Sequence, residues 1–346
     1  MNLRISGASG RARLVPPPVV KQRRKQRAEI MRYRRIVVVG ASGFVGRYVV
    51  KHLAAEGAVI AAVCRTASSA GYLRPMGDVG QIALIDANIT DHKRLAPLLD
   101  GAEGVVNAAG ILFQRGAQRF RTLHETGPAG LAALAAAAGV RRFVHISALG
   151  ADPASPALYG RSKAAGEAAV RAAFPAATIL RPSLIFGPED SFFNRFAAIA
   201  RVSPVLPLIG GGRTRFAPVF VGDVAAAVAA ALDREDTPGC TYELGGPGIE
   251  TLRALFDLIL RETNRRRLLL PVPFGLAMVP ALFAELLPRP PLTRDQVRML
   301  QRDSVPTAGA PVLAALGIEP TALELILPTY LNRFRRHGSF ASAALL

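Results

Sequence analysis

The chain has little with which to build covalent or metal cross-links. Two cysteines, Cys64 and Cys240, are too few for a disulfide framework or a cysteine metal cage, and they suit a reducing compartment. No metal site is expected. Tryptophan is absent and aromatic residues make up only 6%. Ala, Arg, Gly and Pro are used heavily, which reads as coding bias. No long apolar segment follows the basic N-terminus, which argues against a secretory signal. Acidic residues are scarce, at 25 against 43 Lys and Arg, for a net charge of +18. Yet 346 residues, half of them hydrophobic, are enough for a full core near the size where two lobes form.

The positive charge is concentrated at one end. Residues 1–35 hold eleven Lys or Arg against the single acid Glu29. Residues 1–30 are therefore expected to be a basic, disordered tail, interrupted by Val15-Pro16-Pro17-Pro18-Val19. Two other readings remain: Met31 as the true start, and an Arg-rich organelle leader. No aromatic residue interleaves the basic cluster at 21–27, so a nucleic-acid partner is not expected.

The remainder alternates between strand and helix patterns. Strands are expected at 35–39, 58–63, 81–85, 104–107, 142–146 and from 178 to Arg181-Pro182. Helices are expected at 44–55, 122–138 and 157–173. The fold class is therefore α/β, a Rossmann-type doubly wound parallel sheet. After residue 182 prolines multiply. A strand at 218–221, a helix capped by Asp223 and a short strand at 242–244 would complete the dinucleotide-binding core of 31–182. Residues 183–217 and 246–340, with helices at 250–262, 295–301 and 322–334, would form a smaller, mostly helical C-terminal lobe.

The turn Gly40-Ala41-Ser42-Gly43-Phe44-Val45-Gly46 follows a strand and opens a helix. Its glycines permit a tight turn, close approach to a pyrophosphate, and helix–strand packing. Backbone N–H groups at the helix start would face the phosphates. An NAD site usually offers an acid at the end of the second strand. This chain has Arg65 there, nineteen positions beyond Gly46, with Arg47 placed to assist. Pairing with a 2′-phosphate favours NADP(H) over NAD(H), unless Arg65 is a plain surface arginine. Asp86-Ala87-Asn88 should flank the adenine. Ala108, Ala109 and Gly110 are small residues where a cofactor would lie against backbone.

Tyr159 and Lys163 lie four apart on an expected helix and share a face. Ser147 ends the fifth strand and should point into the same crevice. An ammonium near the phenol would lower its pKa from about 10 toward the working range. Tyr159 would then pass a proton to a carbonyl oxygen held by Ser147.

These residues carry a resemblance. GASGFVG, NAAG, Ser147 and YGRSK together resemble the short-chain dehydrogenase/reductase superfamily, in its extended or atypical form, over most of 34–235. RPSLIFGPED (181–190) resembles that group's loop over the nicotinamide and brings Pro182 to the cofactor. PVFVGDVA (218–225) resembles its strand–helix joint. More narrowly, YGRSKAAGEAAVRAAFPAATILRPSLIFGPEDSFFNRFA, and PLTRDQVRML followed by LGIEPTALE, are similar to the alpha-subcomplex subunit nine family of respiratory complex I. That resemblance implies an NADPH-binding accessory subunit near the membrane arm, with nucleotide as a structural ligand. Active extended enzymes usually carry Asn on the helix after the fourth strand; the match places His124 there, which alters the proton relay. The alternative is an active NADP-dependent oxidoreductase or epimerase on an apolar, quinone- or lipid-like substrate.

Leu268–Pro288 is strongly apolar, with Glu285 its one charge. It is nearly long enough to span a bilayer, but Pro271, Pro273 and Pro280 argue against one continuous helix. It reads either as a buried helical hairpin or as a surface that meets complex I subunits or a membrane through 265–290. The second reading implies a cytoplasmic protein, peripheral on the inner face of the membrane, or on the matrix side in a mitochondrion.

Overall fold

The computed structural model describes residues 34–287 and 290–336. The expected tail of 1–30, the alternative start Met31 and residues 288–289 at the end of the apolar stretch lie outside the described residues. The first half runs β1 (Arg35–Val39), α1 (Phe44–Ala55), β2 (Val59–Cys64), β3 (Ile82–Asp86), α2 (His92–Leu99) and β4 (Gly104–Asn107). Then follow α3 (Gly127–Ala137), β5 (Arg142–Ile146), α4 (Leu158–Ala173), β6 (Thr178–Pro182) and β7 (Ile185–Phe186). The second half contains α5 (Phe193–Val202), β8 (Val205–Ile209), β9 (Arg215–Phe216), β10 (Val219–Phe220), α6 (Val221–Asp233) and β11 (Thr241–Leu244). It closes with β12 (Glu250–Thr251), α7 (Leu252–Glu262), β13 (Leu268–Val272), α8 (Phe274–Ala284), α9 (Arg294–Met299) and α10 (Leu323–Leu331).

Seven strands form one sheet in the order β11-β6-β5-β4-β1-β2-β3, with every pairing parallel. β-branched runs such as Ile36–Val39 suit strands covered on both faces. One face packs on α1 and α6 through Val49, Leu53, Val224 and Val228. The other packs on α2, α3 and α4 through Leu95, Leu131 and Val170. The order reverses between β1 and β4. Their carboxyl ends therefore open a crevice where doubly wound sheets bind ligands.

A third core draws on α5, α7 and α10, with Phe193, Phe256 and Leu327 fully enclosed. Three polar contacts tie the C-terminal segment over it. Tyr330 donates to the buried Asp190 at 2.5 Å, while the backbone N–H and Oγ of Thr321 donate to Asp223 at 2.7 and 2.9 Å. This corrects the expected cap: α6 starts at Val221, so Asp223 lies inside its first turn and holds residue 321.

Two further expectations change. The helix expected at 122–138 begins as a π-helical turn, Arg121–Thr126, before α3. The 268–288 stretch is not a hairpin. Leu268–Val272 pairs in parallel with β8, and a single helix, α8, begins after Pro273. A continuous apolar run has no period to separate strand from helix, and the prolines mark the junction. α8 buries Ala277 and Ala281 but leaves Leu276, Val279 and Phe283 between 54% and 65% exposed, and Leu286 just beyond it is exposed too. No helix among the described residues is long and apolar enough to cross a membrane.

Candidate functional site

The glycine turn sits at the crevice mouth. Gly40 adopts φ +81°, and a Cβ there would lie 2.7 Å from the Ala109 nitrogen. A Cβ on Gly46 would lie 2.1 Å from the Gly40 oxygen. Both are required by packing. Gly43 differs: it is exposed, and a Cβ would meet only the Gly40 oxygen, at 3.1 Å. Gly43 is also the N-cap of α1, with no side chain capping the helix. The turn therefore presents open backbone at a positive helix end, which suits a pyrophosphate.

The far side of the turn is braced. Arg47 donates from Nε to the Gly43 oxygen and from Nη2 to the Ser42 oxygen, both at 3.3 Å. It lies 3.7 Å from Glu189 and stacks over the Tyr72 ring at 4.9 Å. Tyr72 donates to the same Ser42 oxygen at 2.8 Å. Arg47 thus supports the turn and is not among the residues lining the Arg65 cleft. Tyr72 and Glu189 had no signal in the sequence, since both act across long separations.

Arg65 is exposed, without a partner among the described residues. It lines a cleft of about 370 Å³ with Asp86, Ala87, Asn88, Asp91 and Arg94. Asp86 pairs with Cys64 across β2 and β3, and its carboxylate accepts the Ala67 N–H at 2.6 Å. The sequence-expected adenosine residues therefore come together.

At the other end, Tyr159, Lys163, Ser147 and His124 are all buried. Lys163 donates to the Ile146 oxygen at 3.2 Å, with its Nζ 6.0 Å from the Tyr159 ring centre. A Cβ on Gly110 would stand 3.5 Å from Lys163 Nζ and 3.7 Å from His124 Nε2, so the backbone after β4 borders this group. Ser147 Oγ is buried without a hydrogen-bond partner, as a group awaiting a substrate oxygen would be. Pro182 is buried at the end of β6, where its carbonyl accepts the Leu149 N–H at 2.9 Å.

The ionisation pattern departs from expectation. Burial pushes the Tyr159 phenol up to about 12, and no lowering by the ammonium offsets it. Burial also brings Lys163 down to about 8, against a smaller opposing pull from Glu167.

His124 is locked. The Ile111 N–H donates to its Nε2 at 3.1 Å, so Nδ1 carries the proton. Ser162 donates its own hydrogen to the Tyr159 carbonyl at 2.7 Å and lies 2.9 Å from Nδ1. Both ring nitrogens are thereby engaged. Phe120 stacks on the ring at 5.1 Å and Tyr159 meets it edge-on at 5.5 Å. Burial, then the Lys163 charge, hold it down to about 2. Ser162 escaped the sequence reading, although its position three residues after Tyr159 puts it on the same helix face.

A second buried pair lies beneath. Ala109 donates to Asn107 Oδ1 at 3.1 Å, which leaves Asn107 Nδ2 to donate to His145 Nδ1 at 3.0 Å. His145 is fully buried and held down to about 3 by burial and the Lys163 charge. Among the described residues no cluster of His, Cys, Asp and Glu could hold a metal ion.

Residues 36–245 match the NAD dependent epimerase/dehydratase family. The chain is 35% identical over 314 residues to the mitochondrial NADH dehydrogenase (ubiquinone) 1 alpha subcomplex subunit 9 of Arabidopsis thaliana, covering 87% of this chain and 78% of that one. It is 34% identical over 195 residues to a ceramide reductase of Caulobacter vibrioides, covering 56% of this chain and 60% of that one. Among solved structures, a dTDP-glucose 4,6-dehydratase of Streptomyces venezuelae with NAD bound superposes with a TM-score of 0.64 at 21% identity, covering 88% of this chain and 97% of that one. The open turn, the parallel sheet and these similarities converge: the chain belongs to the NAD dependent epimerase/dehydratase family and, within it, to the alpha subcomplex subunit 9 family of NADH dehydrogenase.

Proposed function

We propose that this protein is an accessory subunit of a respiratory complex I type assembly, holding NADP(H) as a structural ligand. The observation that carries the reading is the state of His124. It occupies the relay position implied by the family resemblance, yet both ring nitrogens are engaged within the protein. A neutral imidazole held down to about 2 takes up no proton near neutral pH without losing the Ile111 hydrogen bond.

The nucleotide would lie across the crevice. Gly43, Phe44 and Val45 offer backbone to the pyrophosphate, with Gly40, Ser42 and Gly46 shaping the turn. Asp86 and Ala87 border the adenine, and Arg65 pairs with the 2′-phosphate. Ala108, Ala109, Gly110, Pro182, Tyr159 and Lys163 surround the nicotinamide end. A bound nicotinamide supplies a hydride donor or acceptor; the residues around it exclude water and hold their protons.

The exposed apolar face of α8 is the surface that would meet neighbouring subunits or the bilayer surface. Large exposed apolar patches in soluble proteins mark contact surfaces, and Leu276, Val279 and Phe283 are all exposed on this helix. This would place the protein on the inner face of the membrane, peripherally, or on the matrix side in a mitochondrion. The test is native purification from membranes, with the bound nucleotide and copurifying proteins identified. NADP(H) together with complex I subunits is expected. A nucleotide-free protein that copurifies with none of them would overturn the reading.

A second reading keeps catalysis. The unpartnered Ser147 Oγ beside the Tyr159 and Lys163 group favours it, with an apolar, quinone- or lipid-like substrate. It requires that Tyr159→Phe abolish turnover while nucleotide binding stays intact.

A further inference from the structure

The adenosine cleft contains an arginine that the nucleotide motifs do not account for. Arg94 lies in the first turn of α2 and lines the same cleft as Arg65. Its Nη1 donates to the Asp86 carbonyl at 2.8 Å, and its Nε lies 3.4 Å from the Asp91 carboxylate. These contacts engage two of the five guanidinium N–H groups, leaving three. The side chain is still 63% exposed. Arg94 is therefore a cation whose orientation is set by the protein but whose donors are largely unused.

We propose that Arg94 is the second arm of the 2′-phosphate site, closing on the phosphate opposite Arg65. The inference rests on the NADP(H) reading above. A phosphomonoester carries close to two negative charges at neutral pH, and one exposed arginine compensates only part of that in water. Two arginines on one cleft supply more guanidinium donors to a phosphate than Arg65 alone. Two carboxylates line the same cleft and keep their charges, so the site works through directed guanidinium donors and not through a net positive charge. Asp86 accepts the Ala67 N–H at 2.6 Å and Asp91 accepts the Arg94 backbone N–H at 3.3 Å, so each is tied to backbone. Asp91 also steers Arg94 through its Nε. The division of labour is then clear. Arg65 is free to move onto the phosphate, whereas Arg94 is a preorganised wall that loses little freedom on binding.

Binding of 2′,5′-ADP and 5′-AMP by calorimetry separates this from a structural role, because the probes differ only in the 2′-phosphate. Wild type should prefer 2′,5′-ADP. Arg94→Ala should weaken 2′,5′-ADP about tenfold and leave 5′-AMP within about twofold. Arg94→Gln keeps a donor for the Asp86 carbonyl while removing the charge, and it should show the same selective loss. An equal loss on both probes would make Arg94 a support for the adenine loop and overturn the proposal. So would unchanged 2′,5′-ADP affinity in both variants while wild type keeps its preference. If wild type itself shows no preference, the NADP(H) reading has failed and this proposal fails with it, a result distinct from the other two.

Discussion

The two ends of the crevice are built on opposite plans. At the end proposed to take the adenosine, Arg65 and Arg94 are exposed, and most of their donors are unused. At the end proposed to take the nicotinamide, Tyr159, Lys163 and His124 are buried, and His124 is saturated by Ile111 and Ser162. One end leaves guanidinium donors open, while the other encloses its titratable side chains. A working reductase needs a phenol with a pKa near the operating pH and a path that returns protons to it. Here burial holds Tyr159 at about 12 and His124 at about 2, far apart on either side of neutrality. The contrast suits a nucleotide that is bound and seldom consumed.

The comparison can be broken most severely at the glycine turn. Gly46→Ala forces a Cβ to within 2.1 Å of the Gly40 oxygen. We expect a loss of about 3 kcal/mol or more in denaturant unfolding, with nucleotide binding abolished. Gly43→Ala meets only one atom, at 3.1 Å. It should keep the stability within about 1 kcal/mol yet still lose nucleotide affinity, because its methyl group occupies the phosphate approach. If both variants fail equally in stability, the turn is structural throughout.

Next in size is Arg65→Ala. Losing a charge-assisted phosphate contact costs about 1.5–3 kcal/mol, or roughly 10- to 150-fold in NADP+ affinity. NAD+ affinity should change little. Equal losses on the two cofactors would remove Arg65 from the 2′-phosphate.

The sealed end also has a pH signature. His124 and His145 are held down to about 2 and 3, against an unfolded value near 6.5. Between those limits the unfolded chain binds more protons than the folded one. Stability is therefore fully present above about pH 6.5 and falls as the pH drops toward the folded values. The slope approaches about 1.4 kcal/mol per pH unit for each histidine. Thermal melts from pH 7 to 4 measure it. Asn substituted at both positions should flatten that slope, and an unchanged slope would assign acid sensitivity elsewhere.

Much of the geometry of the glycine turn and the Arg65 cleft was legible in the sequence. A short apolar strand followed by three spaced glycines forces its own local geometry, and Arg65 follows directly from the end of β2. Arg94 was not legible. Its helix has only eight residues, contains Pro97, and opens on the polar run His92-Lys93-Arg94 after the Asp91 cap rather than on an apolar repeat. At the sealed end the Tyr159–Lys163 spacing was readable, but the dominance of burial over the ammonium was not, because burial depends on the whole packed fold. Asp223 is a similar case. Its place near a helix start suggested a cap, whereas its partner Thr321 lies 98 residues away. The α8 face could be read as apolar, but which of its residues are enclosed depends on the packed lobe, where Ala277 and Ala281 are the buried ones.

The central claim is that the nucleotide is held and not turned over. The most direct measurement follows nicotinamide fluorescence of the natively purified protein after addition of quinone and carbonyl compounds, beside the Tyr159→Phe variant. We expect the signal to persist in both, with nucleotide content equal within about twofold, since Tyr159 would bind next to the ring without transferring a proton. Consumption of the bound NADPH by the wild type, spared in Tyr159→Phe, would contradict the account and restore the protein to the working reductases.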